Sequence, residues 1–372
     1  MELVDWDLAA NTARRLAGPG PELTQAEAAD VVRELRRLAD EAHGHVVAYT
    51  GMVPDPTLRT TSEVVDRGAW ATYNVQGMRA TLGPLLDKVA ARRLARGSAA
   101  ASRTGALGRL SAVAAAGGMK AGRTATGVEV GSILAFLGSR VLGQYETFLP
   151  PGTGDGRLLL VAPNIVDVER RLGVDPRDFR MWVCVHEQTH HIQFTAAPWL
   201  QPHLQGLINR LADATDVDPR AVISRLRDSI RDRKSGDAPV GGPAAYLQSP
   251  QQRAVVREIQ ALMTLLEGHA DQVMDAVGPT VIPSVGEIRT RFEVRRREGG
   301  SPIDRLLRKV LGLDAKLEQY RVGGAFCRAV TAHGGPDAMR VAFAGPEYLP
   351  TNDELEAPDR WLARTSSARA AG

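Results

Sequence analysis

One stretch constrains this chain more than any other: Met181-Trp-Val-Cys-Val-His186-Glu187-Gln-Thr-His190-His191-Ile-Gln-Phe194. Residues four apart share a helix face, so His-Glu-x-x-His puts two imidazoles side by side with a carboxylate next to them. The surrounding punctuation predicts that helix. Asp175 is a candidate N-cap, Pro176 suits the first helical position, Asp178 is a first-turn carboxylate, and Pro198 ends the pattern. Phe179, Trp182, Val183, His186, His190 and Phe194 follow helical spacing and form one apolar stripe that carries both histidines. Two buried imidazoles without a partner are costly, whereas neutral histidine nitrogens bind Zn²⁺ well. The competing reading is a core helix with two satisfied histidines. Glu187 projects about 100° away from His186, toward the water that a metal in such a site carries. His191 lies off the ligand face and reads as a supporting or simply polar residue. Cys184 falls on another side of the helix and reads as a small buried hydrophobe.

A third ligand is sought downstream. Ser249-Pro250-Gln-Gln252 opens a long helix with N-cap, N1 proline and capping-box glutamine in place, and Gly278-Pro279 is its expected stop. Glu267 and Asp271 share one face of it with Met263, Thr264 and Met274. Glu267 is the expected third zinc ligand, which leaves a fourth position for water. Asp271 is then expected to accept the N–H of a ligand histidine, and Gly268 to let the two ligand helices approach closely. His269 is the rival ligand, about 200° around the helix from Glu267. A surface Glu–Asp pair is the bland alternative.

Composition narrows the function classes. At 372 residues, with 44% hydrophobic and 24% charged residues, the chain can bury a full core and could hold two domains. A net charge of +3 is too weak a bias to argue for nucleic-acid or membrane binding, so neither is expected as a partner. The basic runs around Arg289–Arg291 and Arg295–Arg297 read as a solvated helix face. Two cysteines give no disulfide framework. The first residues show no basic segment followed by an apolar one, and no run of about 20 apolar residues occurs. A cytoplasmic protein is expected.

Taken in order, residues 5–17 and a stretch opened by a Thr24/Glu27 capping box read as helices. Ser62 is expected to start another helix, carrying Val64, Val65, Trp70 and Val75. His43 and His45 diverge on a helix and make a poor metal pair. Residues 76–127 are helical but rich in Ala, Gly and Arg, suiting either close-packed helices or a lid or linker. Val128 to Tyr145 reads as an apolar helix. Arg157 to Asn164 reads as a strand, five apolar residues bounded by turn residues. Residues 199–231 suggest two helices, and 234–245 a Gly/Pro-rich loop. The expected fold is α+β, mainly helical with a small sheet. The expected division is an N-terminal helical region, 1–125, and a metal-binding catalytic domain, 126–372.

The chain resembles the actinobacterial zincin-like proteins of the zinc-dependent metalloprotease or hydrolase type, some of which carry the label "coenzyme F420 biosynthesis-associated". The resemblance lies in Val141-Leu-Gly-Gln-Tyr145, Leu160-Val-Ala-Pro-Asn164-Ile, Phe179-Arg-x-Trp182-x-x-x-His186-Glu-x-x-His190, Pro198-Trp-Leu200, Leu266-Glu-Gly-His-Ala270, Lys316-Leu-Glu-Gln-Tyr320-Arg and Tyr348 to Leu355. It implies a mostly helical zincin-like fold with a glutamate third ligand, as in gluzincins, and an intracellular setting. The expected reaction is metal-assisted hydrolysis of a peptide or amide bond, with Glu187 as general base and acid. The strand at Leu158–Ala162 is expected to pair with an extended substrate along its edge. Tyr320 is the chosen oxyanion donor, ahead of Arg321 and His333. A small amide metabolite is the alternative substrate, and a catalytically inactive zinc-binding scaffold the alternative function.

Overall fold

A computed structural model describes residues 2–101, 105–214, 249–298 and 313–371. Side chains are described for all of these except 85, 88–101, 105–121, 293, 295–298, 313–320 and 367–371. The expected helix over 215–231, the loop over 234–245 and the side chains of Arg295–Arg297 and Tyr320 therefore lie outside the described residues. The fold is mainly helical with one three-stranded sheet, as the sequence predicts. Its contacts group into two compact units, neither a continuous stretch: residues 1–45, 56–191 and 280–288, and residues 46–55, 192–279 and 289–372. Among the described residues no helix is long and apolar enough to cross a membrane.

The first unit is built on the sheet. Strands β1 (Thr60–Val65), β2 (Gly143–Glu146) and β3 (Gly156–Val161) lie in the order β1-β3-β2, with β1 parallel and β2 antiparallel to β3. Strand β3 is buried along its whole length, as a central strand must be. The expected edge pairing of a substrate with Leu158–Ala162 is therefore corrected: both sides of β3 are already occupied, and β1 and β2 are the outer strands.

Two further expectations change here. Residues 60–65 form a strand, and helix α3 (Arg67–Ala101) starts only after it, capped by Asp66 Oδ1 accepting from the Ala69 N–H at 2.7 Å. The apolar helix expected to Tyr145 ends at Gly138, and residues 143–146 pair with β3 instead.

Strand alternation gives the sheet two faces. Leu159 and Val161 point one way, into a core with Trp6, Ala9 and Ala13 of α1 (Trp6–Leu16), Trp70, Ala71 and Val75 of α3, and Leu134 of α4 (Gly105–Gly138). The opposite face bears Thr60, Gly143, Tyr145, Leu158 and Leu160. Asn164, at the start of α5 (Ala162–Leu172), fixes the approach to β2: its amide donates to the Gly138 and Val141 carbonyls at 2.7 and 2.6 Å.

Helix α2 (Gln25–Thr50) opens with the expected capping box, Glu27 Oε2 accepting from the Thr24 N–H at 2.7 Å. Helix α6 (Pro176–Ala196) is capped by Asp175, whose Oδ1 accepts from the Asp178 N–H at 2.9 Å. It is not held by one stripe. Met181, Val183, Cys184, Val185, Thr189 and Ile192 are all buried, so the helix is covered nearly all round. Arg180 is clamped between buried Glu169 on α5 and Glu34 on α2, joining three helices.

The second unit contains α7 (Leu200–Asp213), most of α8 (Pro250–Val281) and α10 (Leu313–Arg340), followed by α11 (Asn352–Glu356) and α12 (Pro358–Ala371); between α8 and α10 the chain forms α9 (Val285–Glu298). Helix α8 begins with the expected Ser249/Gln252 box, their reciprocal bonds being 2.7 and 3.1 Å. It runs through Pro279 rather than stopping there. Gly268 has a different partner from the one expected. A Cβ there would stand 2.1 Å from the Gly323 carbonyl carbon, so the close approach it permits is to α10. Trp361 packs its ring 5.4 Å from Phe326 and donates to the Tyr348 carbonyl, anchoring α12.

Candidate metal centre

The middle turns of α6 bring the motif to the face of the sheet that carries Gly143 and Tyr145. His186 and His190 sit one turn apart and half-buried, with ring centroids 4.7 Å apart and planes perpendicular. Their Nε2 atoms face each other at 3.2 Å. Either one nitrogen carries the proton and donates to the other, or a cation lies between two lone pairs. Two nitrogens about 2.0–2.1 Å from a tetrahedral centre stand about 3.3 Å apart, so the observed separation fits a zinc site. Glu267, buried on α8, belongs to the same group. One ligand atom from each of His186, His190 and Glu267 lies within 4.8 Å of the others, and no other such group of His, Cys, Asp or Glu occurs among the described residues. Two imidazoles and a carboxylate are the donor set zinc takes in hydrolytic sites.

Glu187 is buried, 6% exposed, and turns toward β2. A Cβ built on Gly143 would meet its Cγ, Cδ and Oε1 at 2.5, 2.7 and 2.8 Å. The carboxyl therefore occupies the space that any side chain at 143 would take.

His191 has a definite place. Its Nδ1 faces Gln188 Oε1 at 2.9 Å, and its Nε2 faces Thr60 Oγ1 at 3.1 Å. Gln188 is oriented by donating its amide to the Ala39 carbonyl at 3.0 Å, so its oxygen is the acceptor. The proton of His191 thus sits on Nδ1, and Nε2 accepts from the threonine. The Tyr145 ring lies 5.3 Å away on one side and that of His43 5.6 Å away. Burial, with His43 nearby, lowers His191 to about 4, so it is neutral at physiological pH. Thr60 does not stand out in the sequence, His43 does so only as half of a poor metal pair, and Gly143 and Tyr145 only within the Val141–Tyr145 stretch of the family resemblance. The one signal available is the alternation Gly143-x-Tyr145, which places both on one face of a strand.

The remaining candidates fall as follows. Among the described residues, the partner seen at Asp271 is Arg289 rather than a ligand histidine. The Asp271 carboxylate and carbonyl take Arg289 at 3.1 and 2.9 Å, since the guanidinium offers a charged donor within reach. His269, the rival ligand, is buried, with Nδ1 accepting from Gln193 at 3.1 Å and its ring 5.0 Å from Phe343. Cys184 and Cys327 are both buried and free, and burial raises both thiols. The Tyr320 side chain lies outside the described residues, and Arg321 and His333 are exposed.

Comparison with known proteins agrees with this geometry. A family model described as zincin-like metallopeptidase matches residues 4–362. A crystal structure of a provisionally assigned hydrolase with a novel fold, from Chloroflexus aurantiacus, is similar to the chain. The two are 28% identical over 98% of this chain and 99% of that one, with a TM-score of 0.66. No curated protein matches the chain.

Proposed function

We propose that this chain, which belongs to the zincin-like metallopeptidase family, is a zinc-dependent hydrolase of peptide or amide bonds. The observation that carries the reading is the grouping of His186, His190 and Glu267, with the two imidazole nitrogens at a spacing that suits one ion. These three residues would hold the metal. A zinc ion in such a site supplies Lewis acidity, lowering the pKa of a coordinated water toward about 7 and polarising a carbonyl.

The rest is the work of the protein. Glu187 stands next to His186 with its carboxyl in a buried slot, so it is desolvated. In that place its Oε accepts a proton from the attacking water and delivers it to the leaving nitrogen. His191, fixed by Thr60 and Gln188, holds the helix against the sheet. Two buried free cysteines suit a reducing compartment and support a cytoplasmic setting.

Zinc-loaded protein is assayed on fluorescein-labelled casein and on small acyl p-nitroanilides, before and after 1,10-phenanthroline. Glu187→Gln is expected to keep its zinc and lose on the order of 10²- to 10⁴-fold in kcat. Equal activity in that variant removes Glu187 from the mechanism. Cleavage of the anilides alone assigns a small amide substrate.

A further inference from the structure

We infer that Gly143 is a positioning residue for Glu187: strand β2 is set along α6 in a register that places a missing side chain over the carboxyl of the general base. The inference rests on the proposed hydrolase reading for its kinetic part only.

Two contacts fix the register. Gly143 and Tyr145 are two apart on β2 and point to one face of the sheet. Glu187 and His191 are four apart on α6 and share one helix face. The strand advances about 6.7 Å over its two residues and the helix about 6 Å over its four, so the pairs match. Tyr145 covers His191, with ring centroids 5.3 Å apart, and Gly143 covers Glu187. The tyrosine end is itself held firmly. A Cβ on Gly156 would fall 1.9 Å from the Tyr145 hydroxyl, so a second glycine on the same face admits the phenol. His191 in turn is tied to β1 through Thr60 and to its own helix through Gln188.

The clash at Gly143 has a particular consequence. The nearest atoms a Cβ would meet run from Cγ outward along one side chain and are not backbone. The strand is paired along β3, and Val161 donates to the Leu142 carbonyl at 2.8 Å just before it. Glu187 can rotate; the strand cannot easily move. An alanine at 143 therefore displaces the carboxyl and leaves the fold and the metal ligands in place.

The test is Gly143→Ala, alone and combined with Glu187→Ala, which removes every atom the added methyl would meet. Displacing a reacting group by about 1 Å costs on the order of a hundredfold in kcat, so a loss of that size on fluorescein-casein is expected with zinc stoichiometry unchanged. In the Glu187→Ala background the same substitution is expected to add no further loss to the residual activity, because every atom the new methyl would meet is already gone. A merely structural glycine would cost the same in both backgrounds, and that outcome overturns the proposal. The crystal structure of Gly143→Ala decides independently of activity. A moved Glu187 carboxyl with β2 in register supports the inference, and an unmoved carboxyl with a shifted strand overturns it. If wild type binds no zinc and cleaves no casein, the hydrolase reading fails while this structural comparison still decides. Should Gly143→Ala fail to fold, Gly143→Ala/Glu187→Ala is compared with Glu187→Ala. Equal melting temperatures support the contact, and a persistent deficit shows that the added methyl meets something else.

Discussion

Replacing Glu146 by glutamine should make the protein less sensitive to rising pH. Glu146 lies on the sheet face opposite α6 and is 6% exposed. Its Oε1 sits 2.5 Å from where a Gly77 Cβ would be, and its Oε2 has no hydrogen-bond partner among the described residues. Arg157, its neighbour in register on β3, leans elsewhere, 3.5 Å from Glu63 and 4.0 Å over the Tyr73 ring. Burial therefore dominates and pushes the Glu146 carboxyl from 4.5 up to about 7, with Arg157 opposing and Glu63 assisting. A raised folded-state pKa means the native protein holds the extra proton between pH 4.5 and 7. The stability this proton brings is present below 4.5 and is lost as pH climbs through 7. Between pH 5 and 8 the loss comes to about 2.5 kcal/mol, since every tenfold difference in proton affinity between the folded and unfolded chain is worth about 1.36 kcal/mol. Glu146→Gln carries no charge at either pH and escapes it. Melting temperatures of both proteins across pH 5–8 provide the assay, and the readout is how their difference changes. The variant should gain roughly 3 °C on wild type over that range. A difference that stays constant from pH 5 to 8 refutes the argument that burial sets this carboxyl.

Three other predictions concern packing and metal. Gly268→Ala forces backbone against backbone at Gly323, so it should cost about 3 kcal/mol, the upper end for an overpacked core. Gly206→Ala on α7, where nothing lies within 4 Å of the new methyl, should instead stabilise by about 0.5–1 kcal/mol; urea unfolding of the two variants checks both signs. Zn²⁺ at a hundredfold excess over its Kd should stabilise wild type by about 2.7 kcal/mol and leave the His190→Ala melting temperature unmoved, and an equal shift in both proteins would place the bound metal elsewhere.

What the sequence discloses about this fold depends on how local each element's cause is. The capping boxes Thr24/Glu27 and Ser249/Gln252 are complete within four residues, and both form as written. Strand β3 is legible because it is buried on both faces and so reads as an unbroken apolar run. Strands β1 and β2 are not. Thr60–Val65 contains a serine that mimics a helix start, and Gly143–Glu146 is only four residues long. Each is completed as a strand by the hydrogen bonds β3 supplies, although the β-branched Thr60, Thr61, Val64 and Val65 already favour one in β1. Pro279 misplaces the stop only slightly: α8 ends two residues beyond it, at Val281.

The site divides along the same line. His186, Glu187 and His190 are joined by one helix's periodicity, so their spacing alone specifies their relation. Glu267 is reached by asking why a carboxylate sits on an apolar face, and that question selects it over His269, which Gln193 satisfies. The same question misleads at Asp271, whose answer is Arg289, eighteen residues further on. Gly143 lies beyond any such question, because its contribution is an absence felt only when β2 is laid against α6. A motif therefore fixes which side chains share a helix face, while the strand beside it fixes where the Glu187 carboxyl stands. On the proposed hydrolase reading, substitutions that spare every residue of His-Glu-x-x-His but alter the β2 register should abolish turnover and leave zinc binding intact.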